Sequence, residues 1–182
     1  VLKDIKNIVF KRTNLNKYSN ISAPLIMGVL NLTPDSFSDG GLYLQSKKAF
    51  THINNMISKG ADIIDVGGES TRPGSKTIAY KVEWMRLKKI IINFKKKFPK
   101  TLLSIDTRKS EVMLKSIKHK SDIINDVSGF NYDYKAINKI KNYNVWKVLH
   151  HMQGTPSTMQ IKPSYKNVLL DVYDFFEKKI NV

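Results

Sequence analysis

The chain contains no cysteine. That excludes a disulfide framework, a thiolate metal site and a cysteine nucleophile, and it fits a cytoplasmic protein. Arginine is also scarce: among 31 Lys and Arg residues only Arg12, Arg72, Arg86 and Arg108 are arginines. With 15 Asp and Glu the formal net charge is +16, an imbalance that often accompanies nucleic-acid or anionic-surface binding. Base edges and bidentate phosphate grips favour guanidinium over ammonium, however. The lysines are scattered, with Lys95-Lys96-Lys97 the longest run, so they read as a solvated basic surface. Long apolar runs are missing as well. The opening stretch, VLKDIKNIVFKRTNLNKYSN, is broken by Lys and Asp too often for a signal segment or a membrane span.

What the chain does contain is enough for one core. It has 182 residues, 41% of them hydrophobic, with 8 Phe, 8 Tyr and 2 Trp, which is the scale of a single folded domain. Short apolar runs alternate with longer amphipathic, lysine-rich segments. The runs are PLIMGVLN (24 to 31), DIIDVGG (62 to 68), TLLSIDT (101 to 107), SDIINDVSG (121 to 129) and NVWKVLHHM (144 to 152). Helices are predicted over about 46 to 59, 79 to 97, 109 to 118, 133 to 141 and 164 to 180. A repeated β-α order implies a parallel sheet.

Each run enters apolar and leaves polar, through Asn31 and Asp35, then Asp65, Glu69, Thr71 and Arg72, then Asp106 and Thr107, then Asn125 and Asp126, then His151 and Gln153. In a parallel α/β architecture the strand C-termini share one side, so these groups are expected to converge on one mouth. Any one of them could instead cap the next helix; five in succession argue for a site. No G-x-G-x-x-G follows the first strand and no G-x-x-x-x-G-K-[ST] occurs, which counts against a nucleotide-binding sheet. His150 and His151 are adjacent in a strand and so point to opposite faces, which excludes a paired metal site. Five units leave open an open sheet or part of a barrel.

The motifs MGVLNLTPDSFSDGG (27 to 41) and GADIIDVGGESTRPGS (60 to 75), followed in order by SIDT, IINDVSG and HMQGTP, resemble dihydropteroate synthase from about Ile26 to about Ser164. The resemblance implies a (β/α)8 TIM barrel, here with about its first five β/α units, as a single pterin-binding barrel domain over residues 1–182, incomplete at its C-terminal end. It implies condensation of (7,8-dihydropterin-6-yl)methyl diphosphate with p-aminobenzoate to 7,8-dihydropteroate and diphosphate, in folate biosynthesis. The cofactor implied is Mg²⁺, with Asn31 as its protein ligand. Thr71 and Arg72 are expected to grip the diphosphate, Asp106 and Asn125 to read the pterin edge, and Phe37 and Pro73 to line the substrate site from their loops. Gly67 and Gly68 are expected to turn the backbone off the strand, and Pro73-Gly74 to stiffen the loop beyond.

The partners implied are the two small-molecule substrates, with no nucleic acid and no membrane. Family members form homodimers, and the resemblance implies three further strands that would complete the pterin pocket and carry the dimer surface. By itself the 182-residue chain is therefore expected to be inactive. Two positions depart from the pattern: Arg108 stands where smaller residues are common, and Lys147 lies within the fifth strand, where an ammonium is unexpected in a barrel interior. A pterin-binding methyltransferase domain and a non-functional remnant are the alternative readings, and a basic nucleic-acid-binding module ranks last.

Overall fold

The computed structural model describes residues 24–33, 42–70, 76–155 and 158–181. The elements are β1 (Met27–Asn31), α1 (Leu42–Ser58), β2 (Ile63–Gly67), α2 (Tyr80–Lys97), β3 (Leu102–Asp106), α3 (Ser110–Lys118), β4 (Ile123–Asp126), α4 (Ala136–Ile140), β5 (Trp146–Leu149) and α5 (Val168–Ile180). Each predicted strand and helix is present. α1 begins about four residues earlier than predicted, whereas α4 and α5 begin about three and four residues later, where side chains hold the chain out of the helix. Asp133 accepts the N–H groups of Ser110 and Lys135, so α4 begins after it. Asn167 Oδ1 accepts from Leu169 N at 3.1 Å and Leu170 N at 3.2 Å, an N-cap that fixes the start of α5.

All four strand pairs are parallel and the sheet order is β1-β2-β3-β4-β5. A doubly wound sheet must reverse its order to place helices on both faces. Here the order never reverses, so right-handed crossovers keep the helices on one side, as in a barrel wall. Register separates the two faces. Leu30, Ile64, Val66, Leu103, Ile105 and Ile124 point to the helices, where they pack with Ile53, Leu87, Ile91, Phe94 and Met113 in the main core. The opposite face carries a second, smaller cluster of Ile63, Leu102 and Ile123 with Trp146 and Val148 against it.

Lys147 belongs to the helix side, in register with Ile124, while Trp146 takes the inner side. The lysine is therefore not in the barrel interior. Its Nζ donates to the carbonyls of Tyr143 and Val145, both at 3.0 Å, and burial draws its pKa down.

One device recurs at the N-terminal ends of the strands. Asp62 and Asp122 each precede the sequence Ile-Ile. Asp62 Oδ2 accepts Ile26 N at 2.8 Å while its own N–H donates to Ile26 O. Asp122 does the same to Leu103, with its carboxylate accepting at 2.7 Å. The carbonyls of Asp62 and Asp122 then accept the N–H groups of Leu102 and Trp146. Each aspartate thus bonds to the strand before its own and to the strand after.

Candidate active site

At the C-terminal ends of the strands, register aligns Asn31, Gly67, Asp106 and Asn125 in one row across four neighbouring strands, on the inner face. Gly67 is the gap in that row. A Cβ there would lie 3.1 Å from Asn31 Oδ1 and 3.5 Å from Asp106 Oδ2, so these two side chains converge over the glycine. The chain bends at Gly68 and Glu69 as it leaves β2, and neither Gly67 nor Gly68 needs a positive φ to do so. Gly68 is demanded by close approach, since a Cβ would stand 2.9 Å from Leu87 Cγ and 3.2 Å from the carbonyl oxygen of Glu83.

One step below lie Asp65 and Ser104, in register with each other. Asp65 is buried; its Oδ2 accepts Asn125 Nδ2 at 3.2 Å. Asn125 Oδ1 in turn meets His150 Nε2 at 2.7 Å. Asp65 Oδ1 and Ser104 Oγ complete no hydrogen bond, although the hydroxyl lies close enough to favour the ionised carboxyl. Burial raises the Asp65 pKa against the opposing pull of Ser104, Asn125 and His150. Asp106 is shifted further, up to about 7, first by burial and then by the charges of Asp65, Glu83 and Asp126, with Arg108 opposing. The row therefore carries a carboxyl poised to gain or lose its proton near neutral pH, facing an amide oxygen.

A second buried cluster lies beside the row. Arg108 Nη2 donates to Glu69 Oε2 at 2.8 Å, and Lys109 Nζ bridges Glu69 Oε1 at 2.9 Å and Glu83 Oε2 at 2.6 Å. Ile78 N also donates to Glu69 Oε1, at 2.9 Å. Burial would raise the Glu69 pKa, but Arg108, the Ile78 N–H and Lys109 together hold it below its ordinary value. The Arg108 guanidinium further lies 4.3 Å from the Tyr132 ring centroid. Arg108 is thus engaged in an internal ion pair rather than presented to an anion.

Of the expected site residues, Asn31, Asp106 and Asn125 meet at the row. Phe37, Thr71, Arg72 and Pro73 lie outside the described residues. His151 points away from the row and packs against Phe175, Phe176 and Tyr165, edge-on to Phe175 with ring centroids 4.9 Å apart. Gln153 braces a loop through Ser164, and Asp126 closes the turn of Ser128 and Phe130. Sequence reasoning missed Ser104, His150, Lys109 and Glu83. The strand parity of Asp106, stepped back by two, and of Trp146, stepped forward by four, would have pointed to Ser104 and His150. Among the described residues no group of three His, Cys, Asp or Glu could hold a metal ion, and no helix is long and apolar enough to cross a membrane.

A one-way parallel sheet, helices on one side and polar side chains at the strand C-termini define a TIM-barrel-type fold with its site at the usual end. The chain belongs to the family described as pterin binding enzyme, whose pattern it matches over residues 27–182. It is 37% identical over 166 residues to the dihydropteroate synthase of Haemophilus influenzae, covering 91% of this chain and 60% of that relative. It is 40% identical over 161 residues to the Escherichia coli K12 dihydropteroate synthase, covering 88% and 56%. Among solved structures, the Yersinia pestis dihydropteroate synthase with a sulfonamide drug complex superposes with a TM-score of 0.79 at 37% identity, covering 88% of this chain and 57% of that one. The Burkholderia cenocepacia dihydropteroate synthase complexed with 7,8-dihydropteroate gives 0.73 at 34% identity, covering 87% and 52%. The chain thus spans between half and two thirds of the length of these relatives, and its five units correspond to part of their barrel.

Proposed function

We propose that this sequence serves a dihydropteroate synthase, joining the methylene carbon of (7,8-dihydropterin-6-yl)methyl diphosphate to the amine of p-aminobenzoate. The C–N bond forms as the C–O bond to diphosphate breaks, the diphosphate leaves with the bonding pair, and the amine sheds one proton. The observation that carries the reading is the row Asn31, Gly67, Asp106 and Asn125 at the strand C-termini. A flat heterocycle edged with N–H groups and acceptors suits a carboxylate and an amide side by side. A resting carboxyl near pH 7 becomes fully ionised when N–H donors approach it, and then stabilises positive character on the methylene.

Thr71 and Arg72 are assigned to the diphosphate, Phe37 and Pro73 to the substrate-facing loops. Mg²⁺ fits the donor chemistry: Asn31 offers a hard amide oxygen over Gly67, where no side chain intervenes, and without a carboxylate cage the ion would take its other ligands from water and diphosphate. When bound, it supplies charge neutralisation of the leaving group. The reading also implies a homodimer in the cytoplasm, acting on small molecules and binding neither nucleic acid nor membrane.

The test is turnover by the complete natural protein with both substrates and Mg²⁺. Asp106→Ala and Arg72→Ala should each lower kcat/KM by on the order of 100-fold or more. Methyl transfer to a corrinoid with no condensation would refute the reading.

A further inference from the structure

Asn125 has both ends of its amide engaged within the protein. The Nδ2 group donates to Asp65 Oδ2 on β2, and Oδ1 sits 2.7 Å from His150 Nε2 just beyond β5. The three side chains form a line: the Asp65–Asn125 contact crosses over β3 to join β2 and β4, which share no ladder, and His150 extends it past the neighbouring β5. An asparagine amide turned by half a rotation exchanges its donor for its acceptor, and the two orientations have almost the same shape. Here its neighbours distinguish them. Turned over, Oδ1 would face the Asp65 carboxylate, a repulsive contact, and Nδ2 would face an imidazole nitrogen that can accept it only by moving its proton to Nδ1. With Nδ2 committed to a carboxylate, the oxygen must accept, which places the imidazole proton on Nε2.

We propose that His150 is a positioning residue for substrate recognition: together with Asp65 it locks the Asn125 amide in one orientation and so decides which heterocycle edge the site accepts. This rests on the synthase reading for the identity of the ligand, though not for the lock itself. After its two internal bonds Asn125 keeps one N–H and one lone pair for a ligand. Asp106, its register neighbour on β3, offers acceptor oxygens. The pair therefore selects an edge that gives an acceptor to the Asn125 N–H and N–H donors to Asp106. An edge with that order reversed meets two repulsive contacts, and discrimination by buried hydrogen-bonding groups is strong for this reason. Without His150 the amide is held by Asp65 alone, and its orientation is less firmly fixed.

The experiment uses the complete natural protein and the variants His150→Leu and His150→Gln. Nitrogen-15 NMR of the ligand-free protein should show His150 protonated at Nε2. The Asn125 side-chain amide resonances should shift in His150→Leu and return toward their wild-type positions in His150→Gln, whose amide N–H can replace that of the imidazole. In direct titration with the dihydropterin diphosphate, His150→Leu should weaken binding about tenfold and His150→Gln should recover to within about threefold. The KM for p-aminobenzoate should stay unchanged in both. An unprotonated Nε2, or Asn125 resonances indifferent to His150→Leu, overturns the lock. Equal weakening of both substrates with no rescue by glutamine makes His150 merely structural and also overturns it. If the wild-type protein binds no pterin substrate, the synthase reading fails, and the NMR result alone decides whether the lock exists.

Discussion

Replacing Lys109 by methionine should be among the most destabilising single changes outside the apolar core. Glu83 is 0% exposed, its Oε2 is held by Lys109 at 2.6 Å, and its Oε1 has no partner. Removing the ammonium leaves that carboxylate buried without a counter-charge, which costs about 3–5 kcal/mol. Glu69 would not share the loss, because Arg108 and the Ile78 N–H still satisfy it. Substituting Glu83→Gln in the Lys109→Met background removes the stranded charge and should restore most of the stability, leaving a deficit of about 1–2 kcal/mol from the buried amide. The pair should then show a coupling energy of about 2 kcal/mol or more in a double-mutant cycle. Urea unfolding of the complete protein, followed by circular dichroism, measures each corner of that cycle. A loss below about 1 kcal/mol for Lys109→Met, or a double variant no better than the single, would show that this ion pair is not effectively buried, and the argument would fail.

Asp106 links stability to pH. Its folded pKa of about 7 lies above the ordinary 3.8, so the unfolded chain releases this proton first and stability should fall as pH rises between about 4 and 7, then level off. About three units at 1.36 kcal/mol each set a ceiling of about 4 kcal/mol, and the carboxyl's partial exposure reduces this to about 2. Asp106→Asn should therefore gain on the wild type across that window in urea midpoints taken from pH 4 to 8, and a pH-independent difference would contradict the shift. Gly129→Ala should destabilise by at least about 2 kcal/mol. Its φ is +60° and a Cβ would stand 2.5 Å from the His150 carbonyl oxygen and 2.9 Å from Phe175 Cζ, so a Tm equal to wild type would refute the clash.

The strands were readable because parallel strands covered on both faces are written as nearly continuous apolar runs, and LLSID and IIDVG are such runs. Helix starts were less readable, since Asp133 and Asn167 act through side-chain bonds that periodicity does not encode. Asn31, Asp106 and Asn125 were visible as polar residues closing apolar runs, with the motifs supplying their roles. The partnerships were not. Asn125 finds Asp65 across 60 residues, His150 across 25, and Lys109 finds Glu83 across 26. Such meetings are fixed by strand register and helix placement, which the linear pattern does not state. Arg108 illustrates the point: a departure in the motif, it is an ion-pair partner of Glu69 once the fold brings β2 and β3 together.

The paired aspartates Asp62 and Asp122 give the sheet a fixed zero point. A slip of one residue between neighbouring strands would swap every inner side chain for an outer one, bringing Ile105 and Ile124 into the row and sending Asp106 and Asn125 among the helices. Resistance to that slip comes from the rim opposite the chemistry, where each aspartate bonds to the strands on either side of its own. The alignment that lets four strands present one binding row is thus set at the far end of the strands, and residues at the site can change without the sheet losing count.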